Sequence, residues 1–401
     1  MKLTAGHLTY CTNIHAGENW ADHFNALKLN FPQIKKQLSP DAPMGIGLRL
    51  SNIASIEILR DNNLPEFKQW LQLNDAYVFT MNGFPYGGFH NTIVKDQVHA
   101  PDWTTNNRLD YTLRLFNILA SLLPKDMEGG ISTSPLSYKH WFKSDEALKK
   151  GKFEATENIL RVAAELNSIK QKTGITLHLD IEPEPDGILE TGKEFIEWFE
   201  NNLLSQGISY FKNKLNIPAA QVESIIKDHV NLCYDVCHFA IGYEAHEIII
   251  NELAKKGIKV GKIQISAALK ASFDTVSGTR QSILAVFEKF NESTYLHQVI
   301  ARLVDGNLVR YPDLPEALAA TDDAKEWRAH FHVPVFSQNF GLLQSTQSDI
   351  INVLNIQAQN PFTNHLEVET YTWEVLPEAL KIPLNQSITR ELEWVKHQLT
   401  N

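Results

Sequence analysis

Several apolar stretches of this chain end on an acid or carry one in their middle. In GITLHLDIEPEPDGIL, Leu177, Leu179 and Ile181 alternate with other residues before Glu182, Glu184 and Asp186 follow between and after two prolines. VNLCYDVCHFA holds Asp235 between Tyr234 and Val236, with His238 three residues on. KIQISAAL carries Gln264, and HLEVETYTWEVLP carries Glu367, Glu369 and, further along, Glu374. HFHVPVF sets His330 and His332 two residues apart. Two glutamates, an aspartate and a neutral polar group at the ends of neighbouring strands make an oxygen-rich site for one divalent metal, Mn, Mg or Zn.

Each of these residues also has an ordinary reading. Glu182 and Glu184 fit a solvated loop, Asp235 fits a capping acid, and His238 fits a satisfied core histidine. One of Glu367 and Glu369 fits a strand end facing water, and His330 and His332 fit a polar strand face. An aspartate inside an apolar run is costly unless paired or bound to a metal. The joint pattern, not any single residue, carries the functional reading.

The pattern needs elements that converge. KLTAGHLTYC, MGIGLRLS, AYVFTMNG, GGISTSPLSY, ITLHLDIEPEP, VNLCYDVCHFA, IKVGKIQISAAL and NHLEVETYTWEVLP read as eight strands. Amphipathic segments separate them, among them NWADHFNALKLNFPQIKKQL, with Trp20, Phe24, Leu27 and Phe31 at helical spacing, and ATENILRVAAELNSIKQKTG, which ends on Gly174. Strands alternating with helices predict a parallel α/β architecture, and eight of them predict a closed (β/α)8 TIM barrel spanning 1–401 as one domain. A doubly wound open sheet is the rival. It is weakened because no glycine-rich phosphate fingerprint follows the first strand. In a barrel, catalytic groups sit at the C-terminal ends of strands. That rule selects Glu182 on the fifth strand, Asp235 and His238 on the sixth, Gln264 on the seventh, and Glu369 on the eighth. A barrel spends about 30 residues per β/α unit, yet the seventh and eighth strands lie much farther apart. The excess, residues 270–340, predicts an elaboration over the active-site face.

The block DVCHFAIGYE resembles the D-x-x-H-x(5)-E run of the xylose isomerase-like barrels, a superfamily of sugar isomerases and epimerases. Six blocks in order are similar to the EboE family of metabolite-traffic proteins: GGISTSPLSYKHW, LHLDIEPEPDG, YDVCHFAIGYE, KIQISAAL, HFHVPVFSQNFGLL and HLEVETYTWEVLP. The resemblance implies Glu182, Asp235 and Glu369 as metal ligands and His238 as a substrate-binding residue. It implies a histidine on the seventh strand, where this chain has Gln264. Either the glutamine carbonyl binds the metal, or His332 or His330 arrives from the elaboration to replace it.

The implied function is a metal-dependent isomerase or epimerase of a sugar or cyclitol-like intermediate, in Ebo-cluster secondary-metabolite processing or export alongside other Ebo-cluster proteins. Glu182 and Glu369, on opposite sides of a polyhydroxylated substrate, would move the proton. Phe84, Tyr86 and Trp103 would cover the sugar's apolar face, with His238 and His330 on its oxygens. Two other functions stay open: a metal-dependent hydrolase or lyase of the same superfamily, and a non-catalytic metabolite-binding carrier.

Composition narrows the partners. The 401 residues are 43% hydrophobic and 21% charged, with a formal charge of −10. A basic surface for nucleic acid is not expected. The N-terminal stretch lacks the apolar core of a signal peptide, and no run reaches the roughly 20 apolar residues of a membrane span. Three cysteines, Cys11, Cys233 and Cys237, do not make a disulfide framework and predict a reducing, cytoplasmic setting. Cys233 and Cys237 read as small buried apolar residues rather than a metal pair.

Overall fold

The computed structural model describes residues 1–88, 93–273, 279–372, 376 and 381–400. Glu374 lies outside them. The main sheet has eight parallel strands, with the two-residue segment Lys2–Leu3 added antiparallel to the first: β1 Gly6–Tyr10, β2 Met44–Arg49, β3 Ala76–Asn82, β4 Gly129–Thr133, β5 Leu177–Ile181, β6 Val230–Asp235, β7 Val260–Ile265, and an eighth strand late in the chain, His365–Val368. The eighth pairs with both β7 and β1, and each of the others pairs with its sequence neighbour from β2 to β7. The ring closes between β1 and β2 through a single parallel bridge, Cys11 to Gly47. There the Thr9 hydroxyl stands in for missing ladder bonds, donating to the Gly45 carbonyl at 2.8 Å and accepting from the Gly47 amide at 3.0 Å. The result is the expected (β/α)8 barrel.

Local signals stop and start the helices. The long helix Asp145–Thr173 begins where Ser144 accepts from the Ala147 amide and ends at Gly174 with φ 78. A left-handed residue at that position favours glycine, which has no Cβ to clash. The helical run after β5 continues from Gly192 through a π-helical segment, Phe199–Leu204, to Leu215.

Between β7 and the eighth barrel strand, the chain builds a second sheet of six strands: β8 Leu269–Ser272, β9 Val299–Leu303, β10 Leu308–Tyr311, β11 Ala324–Ala329, β12 Asn339–Phe340 and β13 Leu343–Ser345. All its pairings are antiparallel, and its order is β10-β9-β11-β8-β13-β12. Counted with these, the eighth barrel strand, His365–Val368, is β14. The strand expected through HFHVPVF stops earlier: β11 ends at Ala329, and His330 and His332 lie in irregular chain beyond it. Pro334 follows closely and cannot donate to a ladder.

The inside of the barrel is unusually polar. Lys262 of β7 is fully buried, with Nζ 3.0 Å from Glu367 Oε1, 3.1 Å from Ser132 Oγ and 3.1 Å from the Met81 carbonyl. Gly47 provides the space for that acid, since a Cβ there would stand 2.1 Å from Glu367 Oε2. Removing one partner of a buried pair leaves an uncompensated charge, which costs about 3–5 kcal/mol. Lys262→Met is therefore expected to destabilise the protein by about that amount, and adding Glu367→Leu should recover most of the loss. Urea unfolding midpoints of the single and double variants check this; equal loss in both would show that the pair is not what Lys262 contributes.

Candidate metal centre

Strand ends deliver the acids. Glu182 follows β5 directly, and its amide still donates to the Thr133 carbonyl at 2.9 Å, which holds it in register with β4. Asp235 is the last residue of β6 and caps the short helix Val236–Ile241, accepting from the His238 amide at 3.1 Å. Its Oδ1 also accepts from Ser266 Oγ at 2.7 Å. The capping reading of Asp235 holds through Oδ1, while Oδ2 stays directed toward Gln264 and His332. Glu369 follows β14, its amide bonded to the Ile265 carbonyl at 3.1 Å.

Oxygens of Glu182, Asp235 and Glu369 lie within 4.8 Å of one another, all in buried residues. Gln264 sits among them. Its Nε2 donates to Glu369 Oε2 and lies 3.4 Å from Glu182 Oε1 and 3.5 Å from Asp235 Oδ2. Its Oε1 accepts from the Cys233 thiol at 2.6 Å. In this orientation the amide presents N–H rather than carbonyl to the acids, so it bridges them instead of adding a ligand oxygen.

The elaboration contributes His330 and His332, and the helix after β6 contributes His238. His332 has Nε2 3.9 Å from Asp235 Oδ2 and Nδ1 3.5 Å from Glu369 Oε2. His238 Nδ1 lies 3.1 Å from the Pro183 carbonyl and 3.5 Å from Glu182 Oε1, while its Nε2 lies 3.1 Å from His330 Nε2. His330 is oriented by Gln298, whose Oε1 is 2.8 Å from His330 Nδ1.

Buried atoms without a hydrogen-bond partner here include Glu182 Oε2 and His332 Nε2, with Asn13 Oδ1 and Glu184 Oε1 beside them. Orphaned buried groups of this kind are costly. A carboxylate set with one imidazole suits a divalent cation. Glu182, Asp235, Glu369 and His332 therefore fit the metal that the sequence predicts.

Burial and mutual repulsion act on the acids together. Burial, then Asp235 and Glu367, pushes Glu369 up to about 8. Burial, then Glu369, Asp235 and Glu184, raises Glu182 well above the usual carboxylate range. The histidines move the other way: burial lowers His332 to about 4 and His330 well below its ordinary value. Neutral imidazole is the form that binds a metal.

Three expectations are corrected. Glu184 is not a rim acid in solvent: it is buried, 3.1 Å from His99 Nε2 and 4.0 Å from His238 Nε2. Trp103 is fully buried in the core, its indole N–H donating to Thr133 Oγ1 at 3.1 Å. Tyr86 packs edge-on to Tyr111 with ring centroids 5.0 Å apart. Neither aromatic lines the site cavity, which Phe84, Val98, Tyr295 and Tyr371 do.

The sequence reading also missed two residues. Asn13 and Asn82 donate to Glu369 Oε1 at 2.8 and 2.7 Å. Asn82 closes β3, so the strand-end rule applied to β5 through β14 would have found it on β3 as well.

No protein-family model matches the chain, and no curated protein does. Among solved structures, the fold is similar to an IolI protein with a bound zinc atom, at 14% identity and a TM-score of 0.48, with 98% of each chain covered. It is also similar to a xylose isomerase-like TIM barrel protein from Mycobacterium smegmatis in complex with magnesium, at 11% identity and a TM-score of 0.47, covering 96% of this chain and 90% of that one. A third is the probable 3-DHS dehydratase AsbF of Bacillus anthracis, at 8% identity and a TM-score of 0.44, with 98% of each covered. Identities and TM-scores this low do not carry a function across, so function is argued from the site itself.

A raised carboxyl binds a proton in the folded state that the unfolded state has released. The stability Glu369 contributes is therefore full below its ordinary value of 4.5 and is lost as pH rises through about 8. Metal-free protein is expected to melt progressively lower across that window. Mn or Zn should raise the melting temperature more at its alkaline end than at its acid end, because the ion displaces the protons. Thermal scans across pH with and without each ion check both slopes; a metal effect independent of pH would contradict the assignment.

Proposed function

We propose that this protein is a metal-dependent isomerase or epimerase of a polyhydroxylated carbonyl compound, a sugar or cyclitol. The observation that carries this reading is the buried cluster of Glu182, Asp235 and Glu369 at the barrel's C-terminal face, with His332 sharing Asp235 in an adjoining set and with Glu182 Oε2 and His332 Nε2 unpartnered. A bound divalent ion supplies Lewis-acid polarisation of the substrate carbonyl.

The residues divide the remaining work. Glu369 is held at both oxygens, by Asn13 and Asn82 on Oε1 and by Gln264 on Oε2, which favours a fixed ligand. Glu182 keeps Oε2 free, which favours it as the base that takes the proton beside the carbonyl. Burial and the neighbouring acids raise its carboxyl well above the usual range, and a bound cation would draw it toward the ionised form the task needs. His238, steered by the Pro183 carbonyl and facing His330, is placed to bond a substrate hydroxyl. Phe84 covers the apolar side. An Ebo-cluster role and a cytoplasmic setting rest on the sequence blocks and composition alone. Among the described residues no helix is long and apolar enough to cross a membrane.

A second reading, a metal-dependent hydrolase or lyase, is favoured by one further feature. Glu184, His238 and His330 form another set of donors within 4.8 Å of one another beside the first. Two adjacent cations clamping an attacking and a leaving oxygen would use such a pair of sets.

Incubation of ketoses and inosose-like ketones with Mn-, Mg- or Zn-loaded protein in deuterated water tests the isomerase reading. Deuterium is expected at the carbon next to the carbonyl. Glu182→Gln should slow incorporation by about 100-fold or more at saturating metal. Absence of exchange across the panel, together with two ions at the C-terminal mouth, would transfer the assignment to the hydrolase reading.

A further inference from the structure

A second group of potential ligands lies at the opposite end of the barrel. On the inward face of β5, His178 and Asp180 precede Glu182; on that of β14, His365 and Glu367 precede Glu369. The strands thus carry polar side chains along their whole length, and the lowest layer is His178 with His365. Their ring centroids are 5.1 Å apart. Glu128, just before β4, completes the group: one ligand atom from each of Glu128, His178 and His365 lies within 4.8 Å of the others.

Three features distinguish this group from an ordinary polar core. First, His365 is 1% exposed and its Nδ1 has no hydrogen-bond partner. A buried ring nitrogen without a partner is costly, and this one belongs to a residue grouped with two further potential ligands. Second, His178 Nδ1 lies 2.6 Å from Asp180 Oδ1, which leaves Nε2 as its remaining nitrogen. A carboxylate behind one ring nitrogen, with the other nitrogen aimed at a common point, is the arrangement that orients a metal-binding imidazole. Space for that pair is kept by glycines on neighbouring strands, since a Cβ at Gly261 would stand 1.9 Å from Asp180 Oδ1 and one at Gly130 2.3 Å from His178 Cε1. Third, Glu128 is half-buried, its Oε1 accepting from the Asn364 amide at 2.8 Å, and together with His365 it lines a surface groove. The groove reaches the Glu128 and His365 side of the group.

We infer that Glu128, His178 and His365 form a cation site at the foot of the barrel, selective for zinc-like divalent ions. Two imidazoles and one carboxylate suit a borderline ion such as Zn²⁺ or Co²⁺ better than Mg²⁺. Ligands about 2.0–2.1 Å from one tetrahedral ion are somewhat closer together than these atoms are, and Glu128, the most exposed of the three, is the group able to close the gap. An ion there would tie β14, β5 and the segment entering β4 together at the end away from the chemistry. Conserving the barrel's shape is the role that end of the fold serves.

The test uses the full chain with the upper cluster disabled by Asp235→Asn and Glu369→Gln. Titration with ZnCl₂ against a chromogenic chelator should still give one ion per chain, and Co²⁺ should give the intense visible absorption of a four-coordinate site. In that background His365→Asn and Glu128→Gln should each weaken binding by about ten-fold or more. If His365→Asn does not fold, Glu128→Gln, which sits at the groove, decides. A zinc-soaked crystal of the native chain should show an anomalous peak between the three residues. No ion in the disabled background, unchanged affinity in Glu128→Gln, or anomalous signal at the upper cluster alone would each overturn the inference, and none of these outcomes depends on whether the protein is an isomerase.

Discussion

Carboxylates crowded into a low-dielectric barrel repel one another and resist ionisation, and much of this structure answers that constraint. Glu182, Asp235, Glu367 and Glu369 lie in two layers near the axis, all buried. Below the upper layer, Lys262 provides a cation held by Glu367, Ser132 and the Met81 carbonyl. Within it, the Gln264 amide bridges three acids. Burial and the neighbouring acids still hold Glu182 and Glu369 above the usual carboxylate range, and Glu182 Oε2 stays unpaired. A divalent ion bound among these acids would relieve the residual repulsion.

The same constraint explains the glycines of the inner face. Charged side chains need volume inside a ring of fixed radius, so neighbouring strands give it up: Gly47 beside Glu367, and Gly261 beside Asp180. The polar interior and the barrel's closure also meet at one seam. Thr9 bonds across to β2 around Gly47, at the level where Glu367 needs room.

The antiparallel elaboration completes the site from above. β8 leaves the barrel directly after β7, and the chain that follows β11 returns toward the strand ends. His332 is thereby placed against Asp235 and Glu369, and His330 against His238. A glutamine on β7 that bridges acids and a histidine reaching in from the elaboration divide between them the place that the family resemblance gives to one strand-seven histidine.

Local sequence determined a great deal here. Alternating apolar residues fixed eight strands, because burial on both faces leaves few other ways to satisfy them. Their order and the strand-end rule then selected Glu182, Asp235 and Glu369. The long gap before β14 marked the elaboration by its length alone. Asn82 was legible by the same rule.

What only the tertiary structure decided are contacts between segments far apart in sequence. Glu184 looks like a solvated loop acid because its own stretch is polar and proline-bound; His99, from a distant segment, makes it a buried one. Trp103 and Tyr86 look like sugar-facing aromatics, yet Thr133 and Tyr111 claim them for the core. Gln264 carries both a donor and an acceptor, and nothing local says which faces the acids; Cys233 on the adjoining strand takes the oxygen and turns the nitrogen inward. Side-chain type and strand period are properties of local sequence, whereas partner, burial and orientation are set by where the barrel and its elaboration bring remote chain together.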